Sequence, residues 1–261
     1  MLGLFKRRKK VALVLGGGSA RGLAHIGVLK VLDREAFHID MIVGTSMGSL
    51  IGAAYSLGTP ISTMEEKAYS FSANKLLDPT IPTMGLLAGE KLEAAIGGLI
   101  DNKTFADCKI PFTVVTTNIE TGEEVVYQSG ELKKIIRASC SWPGIFNPVS
   151  IDGKMLVDGG IKNSVPIRIA RALGAEYVLA VDVGFCVKQG PIKNIFQMIL
   201  QSFQITGEEL NKHQSLDADF LIKLDLGNMD QVAFDRSREA VQIGIRETEA
   251  ALPKLKKDLG L

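Results

Sequence analysis

Short unbroken apolar runs alternate along this chain with longer stretches whose apolar side chains recur every three or four positions. Val11 to Leu15 (VALVL) is too short for a helix and has no polar face, so it predicts a strand buried on both sides, the kind found in parallel sheets. A glycine loop over residues 16–22 follows. Gly22 to Glu35 then places Leu23, Ile26, Val28, Leu29 and Leu32 at helical spacing. A strand over Ile39 to Val43 precedes a small-residue helix over Met47 to Leu57. This β-α-β-α opening predicts a parallel sheet with right-handed crossovers.

Thr59 to Ile100 reads as mainly helical, with Ser62 and Glu65 spaced as a capping box. Pro79, Pro82 and Gly85 break it into a loop over Leu76 to Gly89. Strands are predicted at Pro111 to Val115 and Glu123 to Tyr127, joined through Glu120-Thr121-Gly122. Leu132 to Ser139 reads as a helix ended by Trp142-Pro143-Gly144. Asp152-Gly153 between Val149–Ile151 and Met155–Val157 is a strong hairpin signal. Beyond it lie a helix over Val165 to Leu173, opened by Pro166, and a buried strand over Tyr177 to Val183. A long helix over Asn194 to about Leu216, a strand over Phe220 to Leu224 and an amphipathic helix over Arg236 to Leu255 complete the chain. No repeat, low-complexity tract or linker interrupts it. The expected architecture is a three-layer α/β/α domain over 11–261 with a mainly parallel central sheet, behind a basic tail over 1–10.

With 261 residues, 46% of them hydrophobic, a sizeable core can form. The net charge of +1 gives no reason to expect a nucleic-acid partner. Cys108, Cys140 and Cys186 are odd in number and widely spaced, which suits buried thiols in a reducing compartment better than a disulfide framework or a zinc site. The apolar run after the basic N-terminus ends at Leu15, short of the ~7–15 residues of a secretory core. No stretch approaches the ~20 apolar residues of a spanning helix. A cytoplasmic protein is expected. Lys6, Arg7, Arg8, Lys9 and Lys10 suit either a solvated tail or peripheral contact with an anionic membrane.

The candidate chemistry centres on Gly44-Thr45-Ser46-Met47-Gly48. A G-x-S-x-G pentapeptide between a strand and a helix is the context of a nucleophile elbow, where a sharp turn lifts the serine hydroxyl above the sheet. The loop Gly16-Gly17-Gly18-Ser19-Ala20-Arg21-Gly22 fits neither a dinucleotide fingerprint nor a P-loop, because Arg21 breaks the first and no lysine follows Gly22 for the second. Consecutive glycines at a helix start instead suit an oxyanion hole, whose donors are commonly worth ~3 kcal/mol each. Ser19 is the next candidate nucleophile. Of the histidines, His25 lies among apolar neighbours, His38 in a loop and His213 on a polar helical stretch, so a Ser-His-Asp triad lacks a well-placed base. Asp158, in Val157-Asp158-Gly159-Gly160 at a strand end, is the better partner for Ser46. Asp152 is a hairpin residue, and Asp182 is a weaker competitor. In the loop Leu76 to Leu87, Met84 and Leu86 are expected to line an acyl-chain entrance.

GGGSARG, GTSMG and DGG, in this order and spacing, resemble the bacterial patatin-like phospholipases related to neuropathy target esterase. The resemblance covers about residues 11–185 and extends to Gly22 through Leu29, Ser139 through Pro143 and Val181 through Gly184. It implies a patatin-like fold and a lipid ester substrate, phospholipid or lysophospholipid. It also implies a Ser46–Asp158 dyad without a catalytic histidine, an oxyanion motif at Gly16, Gly17, Gly18 and Arg21, and no metal or other cofactor. A phosphate-binding or signalling module using the glycine loop is the rival reading, and it leaves Ser46 and Asp158 without a task.

Overall fold

The computed structural model describes residues 8–81, 83–187, 190–214 and 217–261. The apolar run Val11–Leu15 forms β1, which pairs in parallel with β2 (Met41–Thr45) on one side and β9 (Tyr177–Asp182) on the other. The connection from β1 to β2 is a 3₁₀ turn and then α1 (Ala24–Arg34). Ser46 stands between β2 and α2 (Met47–Leu57).

α3 (Ile61–Tyr69), the short β3 (Gly85–Leu87) and α4 (Glu90–Ile100) lead to β4 (Phe112–Asn118). α3 starts behind Pro60, which places Ser62 inside the helix, so the expected Ser62–Glu65 capping box does not form. Pro60 fits there because the first helical amides need no partner.

β5 (Glu124–Tyr127) folds back antiparallel on β4. α5 (Leu132–Ser139) is followed by β6 (Gly144–Phe146), which pairs with β3 in a small separate sheet. β7 (Val149–Ile151) and β8 (Lys154–Asp158) form the hairpin predicted at Asp152-Gly153, where both residues adopt positive φ. α6 (Ile167–Ala172) leads into β9. α7 (Ile195–Gln214), β10 (Phe220–Lys223) and α8 (Ser237–Leu259) finish the chain.

The main sheet runs β10-β9-β1-β2-β4-β8-β7. Its first five strands are parallel, and β8 is antiparallel to β4. Alternation along β1 sends Val11, Leu13 and Leu15 to one face and Ala12 and Val14 to the other, and β9 repeats the pattern. The first face packs against α1, α2 and α8, and the second against α6. These are the three expected layers.

The parallel strands fix where chemistry can sit. The glycine loop and Ser46 emerge from the C-terminal ends of β1 and β2, where open α/β sheets place their crevice. β8 runs the other way, yet its register with β4 delivers Asp158 to the same place: Thr116 pairs with Asp158. The basic tail enters at the N-terminal end of β1, a strand length (about 16 Å) from Ser46. Its Arg8 pairs with Asp40 at 2.7 Å, and Lys9 lies over the Tyr177 ring, while Lys6 and Arg7 fall outside the described residues. Among the described residues, no helix is long and apolar enough to cross a membrane.

Candidate active site

Ser46 adopts φ 53° and ψ −125°, a conformation that costs a non-glycine residue ~1–3 kcal/mol. The turn closes only because its neighbours lack side chains. A Cβ on Gly44 would lie 2.7 Å from the Gly48 carbonyl, and one on Gly48 would lie 2.1 Å from that of Leu15. Hydrogen bonds hold the strained residue on both sides. The Ser46 N–H donates to Ser139 Oγ at 2.8 Å, and Ser139 donates to the Val115 carbonyl at 2.7 Å. Ser49 Oγ donates to the Ser46 carbonyl at 2.6 Å.

The Ser46 hydroxyl donates to Asp158 Oδ2 at 2.7 Å. Both residues are buried, at 5% and 2% exposure. Asp158 Oδ1 accepts the Gly160 N–H at 2.7 Å, and the Trp142 side chain also bonds to this carboxylate. Burial raises the Asp158 pKa to about 7, against the opposing pull of those three donors. A carboxylate tuned near neutrality and bonded to a hydroxyl has the properties of a general base.

No histidine joins the pair. His25 Nε2 lies 2.8 Å from the Gly16 carbonyl, and burial lowers its pKa to about 4, so it is a neutral packing residue. His38 and His213 are exposed beside Asp40 and Glu209. Asp182 is spent elsewhere, accepting from Gly184 N–H and Asn211 Nδ2. The thiol of Cys140 sits against Ser46 and Ser49, and burial pushes its pKa up to about 12, which keeps it a neutral wall. Among the described residues, no cluster of three His, Cys, Asp or Glu side chains could hold a metal ion.

The glycine loop departs from expectation in detail. Gly16 N–H donates to the Val181 carbonyl and Gly17 N–H to that of Ser164, so neither amide is free. Arg21 turns away from Ser46. Its guanidinium is buried and donates to the carbonyls of Val183, Gly184, Gly227 and Met229. It clamps the loop to the ends of β9 and β10, because a buried guanidinium must find acceptors for its fan of donors. The Gly18, Ser19 and Met47 amides have no hydrogen-bond partner among the described residues.

A cavity of about 690 Å³ opens from Ser46. Leu23, Leu50, Ile51, Ile96, Leu99 and Phe234 give it an apolar wall. The charged residues in its lining are three lysines, Lys67, Lys75 and Lys91. The loop expected at its entrance contributes Leu76, Leu77 and Leu87, but neither Met84 nor Leu86. Alternation along β3 turns Leu87 inward and takes Leu86 out of the lining, and Met84 is 54% exposed. Ser139, Cys140 and Trp142 carry no catalytic signal in the sequence, since only the closed fold brings the end of α5 and the residues after it to Ser46 and Asp158.

The patatin-like phospholipase family model matches residues 13–171, more than half of the chain. The chain is 37% identical over 182 residues to patatin-like phospholipase domain-containing protein 6 of Mus musculus, covering 67% of this chain and 13% of that protein. It is 36% identical over 182 residues to lysophospholipase nte1 of Aspergillus fumigatus, covering 67% and 12%. An uncharacterised NTE family protein of Mycobacterium bovis is 36% identical over 177 residues, covering 67% and 49%. The chain thus spans less than two thirds of the length of these relatives. In solved structures it resembles VipD from Legionella pneumophila, with a TM-score of 0.56 and 14% identity over 95% of this chain and 67% of that one. The type III effector protein ExoU gives 0.51 and 12% over 95% and 53%. At these identities the likeness concerns the fold.

Proposed function

This chain belongs to the patatin-like phospholipase family, and we propose that it hydrolyses carboxylic esters of lipids through an acyl-enzyme on Ser46. The observation that carries the reading is the 2.7 Å hydrogen bond from Ser46 Oγ, in the lining of an apolar cavity, to a buried Asp158 whose pKa lies near 7. Asp158 takes the hydroxyl proton as Oγ attacks the ester carbonyl. The same proton passes to the leaving alcohol, and water then releases the fatty acid. The unpartnered amides of Gly18 and Met47 hold the oxyanion, one from the glycine loop and one from the residue after the nucleophile. Gly16, Gly17 and Arg21 shape that loop and leave the donation to others.

The cavity's size and apolar wall suit an acyl chain. The names of the relatives, phospholipase and lysophospholipase, point to the same substrate class. The test is covalent labelling by a fluorophosphonate together with hydrolysis of lysolipids, diacyl lipids and simple esters. Ser46→Ala is expected to lose both labelling and turnover with its fold unchanged. Equal labelling of wild type and Ser46→Ala would place the nucleophile elsewhere. A protein that neither labels nor cleaves any ester would return the glycine loop to the phosphate-binding reading.

A further inference from the structure

A second, much smaller chamber adjoins Ser46. Its volume is about 30 Å³, and Ser46 and Trp142 line both spaces. Apolar side chains, Ile161, Phe185 and Phe203, form part of its wall. Asp158, Gly18, Ser164, Gln204 and Gln231 line the small chamber. Ser164, Gln204 and Gln231 are at most 1% exposed. Yet Ser164 Oγ, Gln204 Oε1 and both amide atoms of Gln231 lack a hydrogen-bond partner among the described residues. Buried polar atoms are almost always paired with protein or with ordered water. Four such atoms around one space large enough for one or two water molecules define a water site.

We infer that this chamber holds the water that hydrolyses the acyl-enzyme, with Gln231 and Gln204 as its positioning residues. The inference rests on the hydrolase reading above. An acyl chain in the large cavity covers that approach to the ester carbon with hydrocarbon. The small chamber is lined by both Ser46 and Asp158 and shares only Ser46 and Trp142 with the large cavity. Water there gives a proton to Asp158 as its oxygen attacks the acyl carbon. The bond from that carbon to Ser46 Oγ then breaks, the proton returns from Asp158 to Oγ, and the fatty acid leaves. Gln231 is held in place by its own backbone, since its carbonyl accepts the Ala20 N–H of the glycine loop. Gln204 comes from α7, beside a Phe203 ring stacked on Trp142 with 6.3 Å between centroids.

Gln231→Met and Gln204→Met keep side-chain length and remove the hydrogen bonding. Hydrolysis of a p-nitrophenyl ester and fluorophosphonate labelling of the purified chain separate acylation from deacylation. The expected result is a kcat lower by about tenfold or more, with KM falling in proportion so that kcat/KM stays within about twofold. The labelling rate should match wild type, and intact mass should reveal an acyl adduct on Ser46 during turnover. Loss of kcat/KM in step with kcat, slowed labelling, or no adduct would overturn the inference and assign these residues to acylation or to the fold. If Gln231→Met does not fold, Gln204→Met and Ser164→Ala decide by the same readouts. A wild-type chain that fails to label or turn over overturns the hydrolase reading itself, which is a separate outcome.

Discussion

Ser139 holds the backbone of Ser46 in place: its hydroxyl accepts the Ser46 N–H at 2.8 Å and donates onward to Val115 at 2.7 Å. All three residues are buried, so no water can replace the relay cheaply. Ser139→Ala leaves one N–H and one carbonyl with a lost partner, at a cost of about 1–3 kcal/mol. For a domain of this size that is a melting temperature lower by several degrees. A loosened elbow also misplaces Oγ, and small misplacements cost up to ~100-fold in rate. Ser139→Thr restores the hydroxyl and most of both losses. Fluorophosphonate labelling of Ser139→Ala at the wild-type rate would sink this account of the elbow.

In the proposed mechanism the pKa of Asp158 sets the pH dependence of acylation. Only the ionised carboxylate can take the Ser46 proton, and burial places its ionisation near pH 7. With an uncharged ester, kcat/KM is expected to rise about tenfold per pH unit below 7 and to level off above it. Asp158→Asn should lose about 10²–10⁴-fold. His38→Gln and His213→Gln should keep most activity, because both side chains are exposed and paired away from the site. A profile that stays flat down to pH 5 would remove Asp158 as the base.

The same shift makes the ionised Asp158 carboxylate a stability cost above acid pH. Asp158 ionises near 3.8 when unfolded and near 7 when folded, so its contribution is fully present below about pH 4 and is lost as pH rises to 7. His25 acts oppositely. Its folded pKa of about 4 lies below 6.5, so its contribution is present above 6.5 and lost as pH falls toward 4. In wild type the two slopes oppose each other between these limits. Asp158→Asn removes one of them. Thermal melts should show the variant gaining on wild type as pH rises from 4 to 7, and more stable than wild type at pH 8. A constant difference across that range would refute the shift.

The apolar wall should measure acyl chains. Ala95 on α4 lines the cavity beside Leu92, Ile96 and Leu99. Ala95→Phe fills space that the distal methylenes would occupy. Excluding two of them costs about 1.6 kcal/mol at ~0.8 kcal/mol each, or roughly tenfold. The kcat/KM for long-chain esters should drop by that factor, with a butyryl ester within about twofold. Met84→Ser, outside the lining, should leave chain-length preference unchanged. Equal losses of Ala95→Phe on short and long esters would indicate plain destabilisation.

What was legible in the sequence is what is local. GTSMG carries its own geometry, since a strand, a serine and a helix in five residues allow one turn, and its glycines are the ones that steric contact demands. The Asp152-Gly153 hairpin likewise delivered β8, and with it Asp158. The pairing of β3 with β6 was not legible, because three-residue strands carry no periodicity. The role of Arg21 was not legible, because the resemblance puts it in the oxyanion motif while the four carbonyls that receive it lie more than 160 residues away. Gln204 and Gln231 carry no motif, and only the closed fold shows them buried beside Ser46.

Arg8, Lys9 and Lys10 of the basic tail lie at the opposite end of the sheet from Ser46, and Arg8 is already paired with Asp40. Contact of that tail with an anionic membrane would therefore not turn the cavity toward lipid. Lys67, Lys75 and Lys91 stand at the cavity itself, exposed and without an ion pair among the described residues. Lys75 and Lys91 each give one proton to a carbonyl, of Ser70 and Leu77, and keep further donors for a ligand. A cation near an anionic surface contributes about 1 kcal/mol, so Lys67→Glu should raise KM about fivefold or more for lipids presented with anionic headgroups. The effect should shrink as salt rises, since the Debye length is only ~8 Å at physiological ionic strength. A soluble neutral ester should be cleaved at the wild-type rate. Deleting residues 1–8 should leave hydrolysis of both substrates nearly unchanged. If the deletion instead reproduced the Lys67→Glu defect, the tail and not the lysines of the cavity would be what brings lipid to Ser46.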